Sequence, residues 1–136
     1  MVFRRSPNPR RGVTVVEVSI TAPVAMLMVI GLMIGGLGTF RSQQVAALAR
    51  EGANYASLHG PYYHSRTGQP MATSSDVLNN AILPLAAGLD PAAVHCNLTY
   101  SNTDNTATVV VTYDWLPEGF LPAATLSSTS VMPIQQ

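Results

Sequence analysis

Residues 13–40 read VTVVEVSITAPVAMLMVIGLMIGGLGTF, and Glu17 is the one ionisable side chain among them. A membrane crossing needs about 20 mostly apolar residues, which at ~1.5 Å rise per residue cover roughly 30 Å. The stretch meets that length. It is apolar on every side rather than along one stripe, which suits lipid or a helix bundle better than one face of a soluble core. A transmembrane helix over 13–40 therefore sets the layout, with a short segment before it and a larger polar one after it. Pro23 removes one intrahelical hydrogen bond and is expected to kink the helix. Gly31 and Gly35 form a G-x-x-x-G spacing, which lets two membrane helices approach closely; glycine is also simply tolerated in lipid, and the spacing alone does not choose between the two.

The charges are distributed unevenly around this span. Seven arginines balance seven acidic residues and lysine is absent, yet Arg4, Arg5, Arg10 and Arg11 all precede Val13, while every acidic residue follows Gly12. Only Arg41, Arg50 and Arg66 lie beyond the span. Basic residues flanking a span stay on the cytoplasmic side, so residues 1–12 read as a basic cytoplasmic leader and everything after Phe40 as translocated. In a bacterium this is a single-pass protein of the inner membrane with a periplasmic or extracellular head. A cleaved secretory signal is a competing reading, kept open by the small residues Gly35, Gly36, Gly38 and Thr39. No basic patch interleaved with aromatics follows the leader, which argues against a nucleic-acid partner. Cys96 is the single cysteine. It either pairs between chains or serves as a small, partly buried residue of a strand.

After the span, Val45, Leu48, Gly52 and Tyr55 recur at helical spacing with Ala49 and Ala56 beside them. Residues 41–60 are thus predicted to continue the helix as an amphipathic stem. From Val13 to about Leu58 the rod would measure roughly 69 Å at 1.5 Å per residue. Arg50 and Glu51 fall on its solvated face. Gly60 and Pro61 end it, and the polar, aromatic stretch Tyr62 to Thr73 is expected to be an exposed loop.

Residues 61–136 read as an α+β head. Ser74 or Ser75 is placed to cap a short helix starting near Asp76, with Leu78, Ile82 and Leu85 as its apolar side, a kink at Pro84 and closure at Gly88 and Pro91. A strand is predicted from about Val94 to Tyr100, a polar turn at Asn102 to Asn105 and a second strand from Thr106 to Trp115. In that strand Val109, Val111 and Tyr113 fall on one face, and Thr108, Val110, Thr112 and Asp114 on the other. Such a hairpin is marginal alone, so the stem or the Asp76 helix should cover it and a third strand from about Thr125 to Met132 should extend it. Pro117, Gly119 and Pro122 make the link to that strand irregular.

The segment RRGVTVVEVSITAP, Arg10 to Pro23, resembles the N-terminus of TadE-like proteins, the minor pseudopilins of tight-adherence pilus systems, and is similar to the type IV prepilin signal. Gly12, Val13 and Glu17 match a basic leader ending in glycine, a mature helix starting at the next residue and a glutamate at its fifth position; Glu17 and Pro23 match a glutamate followed six residues later by proline. A second similarity lies in QQVAALAREGANYASLHG, where Ala49, Arg50, Glu51, Gly52, Ala53 and Tyr55 fit an A-R-E-G-A-x-Y core. The resemblance covers about the first sixty residues. Ser19, Thr21 and Ala22 depart from the family's more uniformly aliphatic pattern. It implies a structural subunit of a tight-adherence pilus or related secretion machine, with a prepilin-type peptidase and other pilins or pseudopilins as partners. It further implies cleavage between Gly12 and Val13. Glu17 would then pair with the new amine of Val13 on a neighbouring subunit and set packing register. Snorkelling of Glu17 to the cytoplasmic headgroups is the plainer account of the same residue.

Enzymatic chemistry finds little support in the residues. His59, His64 and His95, with Asp90 or Cys96, follow no zinc spacing. No nucleophile elbow, phosphate loop or dinucleotide fingerprint occurs. No cofactor, metal, catalytic residue or small-molecule substrate is therefore predicted. The rival to a pilus subunit is a single-pass anchored binding or sensor module that keeps its leader.

Overall fold

The computed structural model describes residues 10–116 and 122–135. Arg4 and Arg5 of the expected leader, and Pro117 and Gly119 of the expected irregular link, lie outside them. The chain divides between Gly38 and Thr39 into two units. The first consists, in its described part, of the N-terminal portion of one long helix, α1, which runs from Arg10 to Leu58 and contains Pro23. Its apolar stretch is long and apolar enough to cross a membrane, and none of that stretch is buried within the protein. Val15, Ile20, Met26, Leu27, Met28, Leu32 and Met33 are all more than half exposed, so the helix offers apolar surface around its circumference.

The second unit holds the remainder of α1, then α2 (Pro61–Thr67), α3 (Ser74–Val77) and three strands, β1 (Val94–Ser101), β2 (Thr106–Trp115) and β3 (Ala124–Pro133). The strands form one antiparallel sheet in the order β1-β2-β3. The expected strand pair, its turn at 102–105 and the third strand are all present, each within a residue of the predicted ends. In β2 the alternation holds: Ala107, Val109, Val111 and Tyr113 are buried, while Thr108, Val110 and Thr112 are half-buried and Asp114 is exposed. The register sets Leu98 beside Val109 and Cys96 beside Val111 on the inner face.

Cover for that face comes from both helices named as candidates. Val45, Leu48, Ala49, Ala53 and Ala56 of α1 join Val77, Ile82 and the β2 valines in one core. The small side chains allow close approach. A β-carbon on Gly52 would stand 3.1 Å from Val77 Cγ1, 3.2 Å from Val109 Cγ1 and 3.3 Å from Ile82 Cδ1. Complete burial of a valine stabilises by about 1.5–3 kcal/mol, and Val45, Val77, Val109 and Val111 are all nearly or wholly inaccessible.

Two expectations need correction. The Tyr62 to Thr73 loop begins with a helix instead, because Pro61 at the first helical position is preset for it and Gly68, at φ 71°, closes it by donating its backbone N–H to the His64 carbonyl. The helix expected from Asp76 is capped by Thr73, not by Ser74 or Ser75, and becomes a π-helical turn at Leu78–Ile82 and a 3-10 turn at Leu83–Leu85. The wide turn bonds the Leu83 amide to the Leu78 carbonyl and slips the phase by a residue. Ala81 and Ile82 are buried in consequence, whereas Leu85, expected on the apolar side, is 58% exposed.

Candidate assembly segment and head clefts

The N-terminal candidates sit on α1. Gly12 and Val13 both lie in α1, whose described part runs from Arg10. Glu17 is exposed and its carboxylate makes no ion pair among the described residues. The neighbouring polar side chains are satisfied by the helix itself. Thr21 Oγ1 donates to the Glu17 carbonyl at 3.0 Å and Ser19 Oγ to the Val15 carbonyl at 2.7 Å. Back-bonding of this kind lets a hydroxyl sit in an apolar helix without an unmet hydrogen bond, so the departure at Ser19 and Thr21 is compatible with lipid. Pro23 donates no amide to the Ser19 carbonyl, yet α1 continues through it. At Gly31 and Gly35, which share one helix face, an added β-carbon would meet nothing within 4 Å.

In the second unit, α1 is joined to the loop after the 3-10 turn. Arg41 Nη1 donates to the Gly88 carbonyl, and Gln44 Nε2 reaches the Ala87 carbonyl at 3.5 Å. At its far end α1 meets an aromatic ladder in which Tyr55 stacks on His59 at 4.2 Å between ring centroids and His59 lies 5.0 Å from Tyr63. With Gln69 and Asn80 this ladder lines a cleft of about 310 Å³. The Tyr100 hydroxyl lies 3.3 Å from both the Ala56 and the Ala72 carbonyls, tying β1 to α1 and to the segment before α3. Burial is the main cause that raises the Tyr100 phenol above its ordinary value, with Asp76 and Tyr55 adding to it.

The histidines are not gathered. His59 Nδ1 lies 3.0 Å from the Tyr55 carbonyl, His64 Nδ1 lies 2.6 Å from the Gln69 carbonyl, and His95 pairs with Asp114 at 3.6 Å on the outer sheet face. Among the described residues no three of histidine, cysteine, aspartate and glutamate converge as metal ligands. Cys96 is the half-buried strand residue of the second reading, and burial pushes its thiol up to about 11. The sequence reading passed over the aromatic ladder and the Thr73 cap. Both carried a local signal: Tyr55, His59 and Tyr63 follow one another at i, i+4 and i+8, and T-x-x-D is the acidic form of a capping box.

An unburied apolar helix followed by a small α+β unit defines the class of chains that carry one N-terminal helix fit to cross a membrane. Within that class, residues 12–54 match the family model for TadE-like protein, which bears out the resemblance over that segment. The match begins at Gly12 and takes in Glu17, Pro23, Gly31, Gly35 and most of the A-R-E-G-A-x-Y core. No curated protein and no solved structure matches the chain.

Proposed function

We propose that this chain is a minor pseudopilin, a structural and assembly subunit of a tight-adherence pilus or a related secretion machine, held in the bacterial inner membrane with its head outside the cytoplasm. The observation that carries the reading is that the TadE-like match, residues 12–54, takes in the whole apolar stretch of α1, which is not buried among the described residues.

On this reading the basic leader 1–12 fixes topology, and a prepilin-type peptidase then cuts between Gly12 and Val13. Both residues are helical, so this stretch must unwind to present an extended backbone. Glycine without a β-carbon lets catalytic groups come close. Cleavage exposes an amine at Val13. A carboxylate at the membrane centre costs on the order of 2.5–3.5 kcal/mol. Pairing with a neighbour's amine near 4 Å returns about 4 kcal/mol at an effective dielectric of 20, so Glu17 favours an assembled state over a solitary helix. Gly31 and Gly35 supply a flat face for that packing, and Pro23 supplies a place where the helix bends.

N-terminal sequencing of the protein extracted from membranes tests this directly. A start at Val13 is expected. An intact leader would instead identify an anchored binding or sensor module.

A further inference from the structure

Residues 81–89 read AILPLAAGL and carry no polar side chain. Ala81, Ile82, Ala86 and Leu89 are buried, but Pro84, Ala87 and Gly88 are exposed and Leu85 is more than half exposed. This loop is fixed to α1, where Arg41 donates to the Gly88 carbonyl and Gln44 to the Ala87 carbonyl. Farther along the same helix, Gly52 packs beside Val109 and the Ala56 carbonyl accepts the Tyr100 hydroxyl. β1 therefore runs away from Arg41, and its first residue, Val94, pairs with Tyr113 at the Arg41 end of the sheet. Leu116, just beyond β2 at that same end, is 76% exposed.

Arg41 is also the first ionisable residue after Glu17. Residues 18–40 between them measure roughly 35 Å at 1.5 Å per residue, a little more than the ~30 Å hydrocarbon of a bilayer. When α1 spans the membrane, Arg41 falls among the headgroups on the translocated side, and Gln44 stands only about 4.5 Å farther along the helix. The headgroup layer is itself about 5–7 Å thick.

We propose that residues 83–89, with Leu116 at the same end of the sheet, rest in the interface of the bilayer that α1 crosses, and that lipid is what covers this apolar surface. Chain continuity selects lipid as the occupant. The two carbonyls held by Arg41 and Gln44 belong to the loop, so the loop is brought to the surface wherever α1 leaves the hydrocarbon. Apolar side chains gain by entering that layer, and with no ionisable group between 81 and 89 no charge has to be desolvated there. Copies standing side by side in one membrane carry this surface at the same height, so any number of neighbours is compatible with it. The inference rests on the membrane placement of α1; neither cleavage at Gly12 nor membership of a pilus enters it.

The test uses the full chain in bilayer nanodiscs of phosphatidylethanolamine and phosphatidylglycerol, in a Cys96→Ser background, with a fluorophore on single cysteines. Leu85→Cys and Leu116→Cys are expected to be quenched by a nitroxide just below the lipid headgroups. Both should be shielded from aqueous iodide at least threefold relative to Asp104→Cys, in the turn at the opposite end of the sheet. Glu51→Cys, about 15 Å beyond Arg41 along α1, should behave like Asp104→Cys. Leu27→Cys, in the apolar stretch, reports on the span itself through a nitroxide deep in the acyl chains. All five positions are exposed, so the substitutions leave the core intact. If Leu27→Cys is quenched while Leu85→Cys and Leu116→Cys stay open to iodide, the span stands and the proposal fails; if Leu27→Cys is not quenched, both fail. Loading one chain per disc rather than several separates lipid from a second copy. Unchanged shielding is expected, and shielding lost at one chain per disc would overturn the proposal by showing that a neighbouring chain covers the loop.

Discussion

At Thr73 one side chain does the work of a helix start. Its hydroxyl accepts the Asp76 amide at 3.3 Å while Asp76 Oδ2 accepts the Thr73 amide at 2.9 Å, so two orphan donors are met reciprocally. Hydrogen bonds from the Thr73 side chain and then its backbone hold the Asp76 carboxyl below its ordinary 3.8. Thr73→Ala is expected to cost about 1 kcal/mol of head stability, read by chemical denaturation. The pH dependence has a definite sign: a depressed folded-state pKa stabilises above the unfolded value, and that contribution fades as pH falls through the folded one. The acid side of the stability profile should therefore flatten in Thr73→Ala. Glu17 presents the opposite case, a charge with no ion-pair partner among the described residues. Glu17→Leu should insert into membranes at least as well as the parent, shown by resistance to carbonate extraction, yet should be lost from purified assemblies. Normal incorporation would remove the residue from the mechanism.

Among the elements, α1 and β2 meet at Gly52, where any larger residue must displace three buried side chains at once. Alanine gains about 1 kcal/mol of helix propensity there, but overpacking typically costs 1–3 kcal/mol, so Gly52→Ala should be mildly and Gly52→Leu severely destabilising by thermal melting. This contact also separates what was legible from what was not. The apolar alternation in β2 and the helical spacing of Val45, Leu48, Gly52 and Tyr55 are local patterns, and both survive in the fold. The helix from Asp76 departs from its local pattern at the wide turn Leu78–Ile82, which carries Ala81 and Ile82 into the core and which no turn or breaker residue marks in the sequence. Pro61 both ends the helix before it and begins the next one, a double role its ring does not distinguish in the sequence. At the candidate site, Gly12, Val13, Glu17 and Pro23 are legible as a motif, because their spacing along one segment is itself the signal.

For the whole molecule, the two units divide the chemistry as well as the contacts. Every buried apolar residue of the described core, from Val45 to Ile134, belongs to the second unit. A fragment of residues 39–136 is therefore expected to be soluble without detergent and to unfold in a single cooperative transition by circular dichroism, while the parent chain requires detergent. A Gly12→Val variant of the parent should keep its leader, seen as an unchanged N-terminal mass, without loss of that transition. The order of the core along the chain matters too. Gly52 is made well before Val109, which covers it, so the head has no local nucleus joining helix to sheet and its closure depends on distant segments finding one another. During synthesis the waiting stripe is mostly alanine and glycine. Small side chains make a poor glue for passing polypeptides, and a nascent rod of this composition can linger uncovered with less need of an escort than a leucine-rich one.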